Sequence, residues 1–170
     1  MQQEKSNVVL IGMPGAGKST VGIILAKATS KDFIDTDVLI QTDQHKSLQQ
    51  ILDENGYLAL RIVEEDILLR LNCHNTVIAT GGSAIYSQNG MRYLKSDGVV
   101  VFLHVDLPLL RQRIQDFDTR GIACKPHQSL SDLYRERVPL YRKYADIVID
   151  CNKMTHEQVS AYICHELGFI

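Results

Sequence analysis

The chain reads as an α/β protein whose parallel sheet is covered by helices on both faces, and two observations predict this. Short, apolar, β-branched runs alternate with longer stretches of helical spacing over 170 residues. The first such run, residues 8–11, leads directly into Gly12-Met13-Pro14-Gly15-Ala16-Gly17-Lys18-Ser19-Thr20, which matches the phosphate-binding loop pattern G-x-x-x-x-G-K-[ST]. Four fixed positions match by accident less than about once in a hundred chains of this length. Glycines let successive backbone N–H groups turn toward phosphate oxygens. The following helix aims its positive end at the same anion.

The elements follow in order. Residues 8–11 form the first strand, and residues 20–29 the helix behind the loop. Residues 33–35 are a short strand ending in polar side chains. Residues 39–71 are helical, in two or three pieces broken near Asn55-Gly56. The second part carries Leu58, Ile62, Ile67, Leu68 and Leu71 at roughly helical spacing. Residues 77–79 are a strand that stops at Gly81-Gly82, and residues 99–103 are a continuous apolar run suited to a strand buried on both faces. Asp106 and Pro108 start a helix that runs to about residue 117. Residues 119–131 have no clear period and read as a mobile loop. Residues 133–144 are helical and residues 147–149 form a last strand. Thr155 and Gln158 make a capping box for a closing helix to about residue 167, with Val159, Ile163 and Leu167 on one face. Nothing marks a repeat or a linker, so residues 1–170 are expected to be one domain.

Composition narrows the class. The chain is 45% hydrophobic and 22% charged with a formal net charge of −2, which gives no bulk attraction to nucleic acid or an anionic membrane. Cys73, Cys124, Cys151 and Cys164 lie far apart, without zinc or redox spacing. Met1-Gln2-Gln3-Glu4-Lys5 lacks the character of a secretion signal, and no apolar stretch is long enough to cross a bilayer. A reducing cytoplasm is expected.

The candidate site residues cluster at strand ends, where ligands of such sheets sit. Within the phosphate loop, Lys18 can reach the β- and γ-phosphates and the Ser19 hydroxyl can ligate Mg²⁺. Asp35-Thr36-Asp37 follows the second strand. In an extended segment both carboxylates would share a side, one for the metal's water shell and one to accept a hydroxyl proton. Asp37 alternatively caps the next helix. Arg61 offers a planar grip on a carboxylate, or a surface ion pair with Glu65 four residues on. Arg113, Arg120 and Arg137 are the other cations. Asn152-Lys153-Met154-Thr155 misses the aspartate of a guanine-reading N-K-x-D, and no L-S-G-G-Q-like signature is present. A kinase for a small metabolite fits the length.

Taken together these residues resemble the shikimate kinase family. The resemblance runs from about residue 8 to 150. It rests on the phosphate loop, Asp35-Thr36-Asp37, Leu60-Arg61-Ile62-Val63-Glu64, Gly81-Gly82-Ser83, Arg120-Gly121-Ile122 and Arg137-Val138-Pro139-Leu140-Tyr141. It implies a three-layer αβα fold with a five-stranded parallel sheet, of the P-loop, nucleoside-monophosphate-kinase type. It also implies ATP- and Mg²⁺-dependent phosphorylation of a shikimate hydroxyl. Gly15, Ala16, Gly17, Lys18, Ser19 and Thr20 would hold the nucleotide, with Arg113 near adenine and Arg120 closing onto the phosphates. Ser19 and, through water, Asp35 would hold the metal. Asp37 would act as base, Arg61 and Arg137 would clamp the carboxylate, and the Gly82 backbone would contact a ring hydroxyl. Residues 39–60 would form the substrate-binding segment and residues 117–131 a lid. A monomer is expected.

Three positions depart from the family pattern. Ser83 adds a Cβ and a hydroxyl where the family has a third glycine, Leu60 removes an aromatic wall, and Gly121 in place of proline raises lid entropy. The residues alone also fit a kinase for another small hydroxylated acid or a cyclitol, or a non-catalytic nucleotide-binding relative.

Overall fold

A computed structural model describes residues 5–169. Met1–Glu4, which make up most of the segment read as lacking a secretion signal, lie outside the described residues. Among the described residues, five strands form one parallel sheet: β1 (Asn7–Ile11), β2 (Asp32–Asp35), β3 (Thr76–Ala79), β4 (Gly98–His104) and β5 (Ile147–Asp150), in the order β2-β3-β1-β4-β5. Every residue of β1 and β3 is buried. Successive side chains point to opposite faces, so both faces of the sheet are covered. The core centres on β1 and β4, with Val9, Leu10, Val100 and Val101 fully excluded from solvent.

Among the described residues, seven helices surround the sheet: α1 (Lys18–Thr29), α2 (Thr36–Gln44), α3 (Leu48–Arg70), α4 (Gln88–Asp97), α5 (Leu107–Arg113), α6 (Leu130–Tyr144) and α7 (His156–Glu166). Helix α1 packs on α7, β2 and β3, whereas α4 and α6 pack on β4. The expected break in α3 falls at Gly56, whose φ of 81° and ψ of 171° interrupt the helix. Helix α7 starts at the Thr155 capping box as expected.

Several boundaries differ from the sequence reading. Helix α1 begins two residues earlier, at Lys18, because Gly17 at φ 96° turns the loop directly into the helix. Helix α5 ends at Arg113 rather than near residue 117, and a 3₁₀ turn, Phe117–Thr119, follows. Helix α6 begins three residues early because Ser129 and Asp132 form a second capping box. Helix α4 was not anticipated. Its Asn89 and Gly90 are poor helix formers, yet Ser87 caps it through the Gly90 N–H at 2.8 Å. A Cβ on Gly90 would lie 2.8 Å from Leu68 Cδ1. Close packing against α3 therefore selects glycine there.

Candidate active site

The strand order decides which loops meet. The turn after β3 lies between the phosphate loop that follows β1 and the Asp35 end of β2. All three open onto one cavity of about 490 Å³ beyond the carboxyl ends of the strands. Of the anticipated residues, Gly15, Gly17, Lys18, Ser19, Thr20, Asp37, Gly82, Arg113, Arg120 and Arg137 line it. Ala16, Asp35 and Arg61 do not.

At the phosphate-loop end, Lys18 Nζ donates to the carbonyls of Gly12 at 2.7 Å and Met13 at 2.9 Å. An ammonium has three N–H donors, so one remains for a phosphate oxygen. Burial lowers the Lys18 pKa to about 8, opposed by the charge of Asp37. The Ala16 N–H bonds Met13 O at 3.1 Å and its side chain is buried, so Ala16 shapes the loop from behind. Arg113 Nη1 donates to Gly15 O at 3.1 Å, which ties α5 to the loop. His156, at the start of α7, also lines this end. Its ring lies against Gly17, where a Cβ would come within 2.8 Å of Nε2. No sequence signal marks His156.

Asp35 and Asp37 do not lie in one extended segment, as the sequence reading supposed. Asp35 is the N-cap of α2. Its Oδ1 accepts from the N–H of Asp37 at 3.0 Å and of Val38 at 3.3 Å. Asp37 therefore sits in the first helical turn, and Asp35, not Asp37, caps. The other Asp35 oxygen accepts from Ser19 Oγ at 2.5 Å. A hydroxyl and a carboxylate facing each other beside the loop are the hard oxygen donors a Mg²⁺ ion and its waters prefer. Among the described residues no cluster of three or more His, Cys, Asp or Glu could bind a metal by itself. Burial raises the Asp37 pKa while Lys18 opposes it, so Asp37 is a stronger base than an exposed aspartate.

At the far end the turn after β3 comes close to several side chains. A Cβ on Gly82 would lie 2.8 Å from Arg137 Nη1 and 3.0 Å from Pro14 Cδ. Gly82 O accepts from Tyr141 OH at 2.6 Å. Arg137 is 1% exposed, and its Nη2 donates to Ala123 O at 2.6 Å while Nε has no partner. Glu64, also lining the cavity, is 2% exposed. Burial raises its pKa to about 7, with Asp37 adding to the rise. The sequence reading includes Glu64 in the segment Leu60-Arg61-Ile62-Val63-Glu64 but assigns it no role. Its position three residues after Arg61 puts both on one helix face.

Arg61 stacks on the Tyr86 ring at 3.5 Å from guanidinium carbon to ring centroid, with the Tyr57 ring 5.0 Å away. Its Nε and Nη2 are buried without partners. The ion pair with Glu65 is not made, because Glu65 instead accepts from Ser87 Oγ. Leu60 itself lines the cavity, whereas neither ring does.

The segment at residues 117–131 is partly anchored. Arg120 faces the cavity and reaches Asp116 at 3.5 Å. Gly121 N–H donates to Gln49 Oε1 at 2.9 Å, and Ile122 and Ala123 are buried. Gly121 has φ 72°, so it fills a left-handed position rather than loosening the loop.

The chain resembles known proteins in sequence and fold. The shikimate kinase family model matches residues 14–168. The chain is 33% identical over 161 residues to shikimate kinase 2 of Enterobacter sp. (strain 638), with 92% of each chain covered. It is 37% identical over 150 residues to shikimate kinase of Haemophilus influenzae (strain PittEE), covering 86% of this chain and 83% of that one. The structure superposes on shikimate kinase from Acinetobacter baumannii in complex with shikimate with a TM-score of 0.89. There the identity is 30%, with 99% of this chain and 95% of the other covered.

Proposed function

The chain belongs to the shikimate kinase family, and we propose that this small-molecule kinase transfers the γ-phosphoryl group of ATP to a hydroxyl of shikimate, giving shikimate 3-phosphate. The observation that carries this reading is the single cavity, in which the phosphate-loop residues Lys18 and Ser19 face Asp37, Gly82 and Arg137. A nucleotide at one end and a small anionic polyol at the other would meet beside Asp37.

Each residue then has a physical task. The loop backbone and Thr20 hold the phosphates, with Arg113 at the adenine end. Lys18 places positive charge on the oxygens of the moving phosphoryl group, where it acts with full strength in a buried setting. Asp37 orients the acceptor hydroxyl and accepts its proton. Arg137, and Arg61 through its free N–H groups, hold the acceptor carboxylate. The Gly82 backbone meets a ring hydroxyl. Arg120, on the segment at 117–131, approaches the phosphates and helps exclude water. Ser19 and, through water, Asp35 would hold Mg²⁺, which when bound neutralises phosphate charge.

Among the described residues no helix is long and apolar enough to cross a membrane. The four cysteines are free thiols, which supports a reducing, cytoplasmic setting. We read the protein as a monomer, since one chain contributes every group the cavity needs.

ADP release with ATP and Mg²⁺ tests the proposal directly, comparing shikimate, quinate, gluconate and no acceptor. Strong stimulation by shikimate alone is expected. Stimulation by another acceptor instead, or by none, would overturn the substrate.

A further inference from the structure

Ser83 stands where the family pattern has a glycine, and its side chain is not idle. It is 8% exposed, lines the cavity, and its hydroxyl donates to Glu64 Oε2. The other oxygen, Oε1, is buried and has no partner. Oε1 and Asp37 Oδ1 converge on Gly81, where a Cβ would overlap Oε1 and lie 2.7 Å from Oδ1. A buried carboxylate oxygen left open beside the proposed base is a hydrogen-bond acceptor waiting for a donor.

We propose that Ser83 is a positioning residue of the acceptor site, whose hydroxyl fixes the Glu64 carboxylate so that Oε1 is presented to a hydroxyl of the acceptor. The inference rests on the cavity's reading as a shikimate site. A glycine at position 83 has no donor, so Glu64 Oε2 would lose its partner. The Ser83 backbone carbonyl, as a glycine's would, accepts the Tyr86 N–H at 3.1 Å at the 3₁₀ turn Ala84–Tyr86.

The charge state of Glu64 follows from its surroundings. Burial pushes its pKa to about 7. The Ser83 hydroxyl opposes this, Asp37 from α2 adds to it, and Arg137 from α6 and Arg61 from α3 oppose it. Lys18 from α1 and Tyr141 from α6 also feel the Glu64 charge. Removing the hydroxyl therefore shifts Glu64 further toward its neutral form, which has one less acceptor lone pair to offer.

The test uses Ser83→Ala and Ser83→Thr in the full chain. Glu64 is followed by carboxyl ¹³C NMR titration, assigned with Glu64→Gln. In Ser83→Ala we expect the Glu64 midpoint to rise by about one pH unit. We also expect the shikimate KM to rise about tenfold, the scale of one charge-assisted hydrogen bond. The ATP KM should stay within about twofold, and Ser83→Thr should return both quantities toward the parent. A folded Ser83→Ala protein with an unchanged midpoint, or with a shifted midpoint and unchanged shikimate KM, overturns the proposal. If the midpoint shifts but shikimate does not stimulate the parent, the substrate reading has failed while the Ser83–Glu64 coupling stands.

Discussion

The guanidinium of Arg61 lies 3.5 Å from the centroid of the Tyr86 ring, and that of Arg137 lies 5.4 Å from the same centroid. Two cations thus share one aromatic ring, whose hydroxyl is held by Glu136. The ring attracts both guanidinium groups and offsets their mutual repulsion. We predict that Tyr86→Leu frees Arg61 and raises the shikimate KM about tenfold with little change for ATP. Tyr86→Phe keeps the stack and loses only the Glu136 bond, so its effect is smaller. Equal kinetics for the leucine variant and the parent would remove the stack from acceptor binding.

Arg137 gives a sharper expectation. It is nearly inaccessible, bonded to Ala123 O, and close to Gly82. Arg137→Ala loses both a planar charge and a large packed side chain. The shikimate KM should rise about a hundredfold and the melting temperature should fall. Gly82→Ala should act through the same contact, because its Cβ would displace Nη1. A Gly82→Ala protein with an unaltered shikimate KM would contradict that geometry.

Glu64 makes stability depend on pH in a defined direction. Its folded pKa, about 7, lies above its ordinary value of 4.5. The folded state therefore binds more protons between those values, and stability falls as pH rises through that window. One pKa unit is about 1.4 kcal/mol, so the loss is about 3 kcal/mol. Glu64→Gln lacks this dependence. Its melting temperature relative to the parent should therefore be higher at pH 8 than at pH 5 by several degrees. A pH-independent difference would show that Glu64 does not titrate in this window.

Gly121 provides a test of the loop. A return to proline at this position looks like a way to stiffen the segment. However, φ is 72° there and the N–H is bonded to Gln49. Proline holds φ near −65° and has no N–H. Gly121→Pro should lower the melting temperature and the turnover number. A more stable, fully active variant would mean that this loop conformation is not the one used in solution.

Much of the site was legible because it is written in local backbone chemistry. Gly15 and Gly17, at φ 80° and 96°, bend the phosphate loop. Such features depend on a few consecutive residues, so a motif exposes them. Helix α4 was not legible, because the close approach at Gly90 involves Leu68, a residue on another helix, as well as the capping Ser87 hydroxyl.

The sequence by itself determined the alternating strands and helices, the phosphate loop, and the set of charged residues available to a cavity. Only the tertiary structure decided which of those charges face it. The strand order β2-β3-β1-β4-β5 brings Asp37, Glu64, Ser83 and Arg137 together from four separate segments. It turns Arg137 inward, lays Arg61 on Tyr86, and gives Glu64 a hydroxyl from Ser83, nineteen residues away. Backbone conformation is set mainly by neighbours in the chain, whereas a side chain's partner and charge state are set by whatever packing brings beside it.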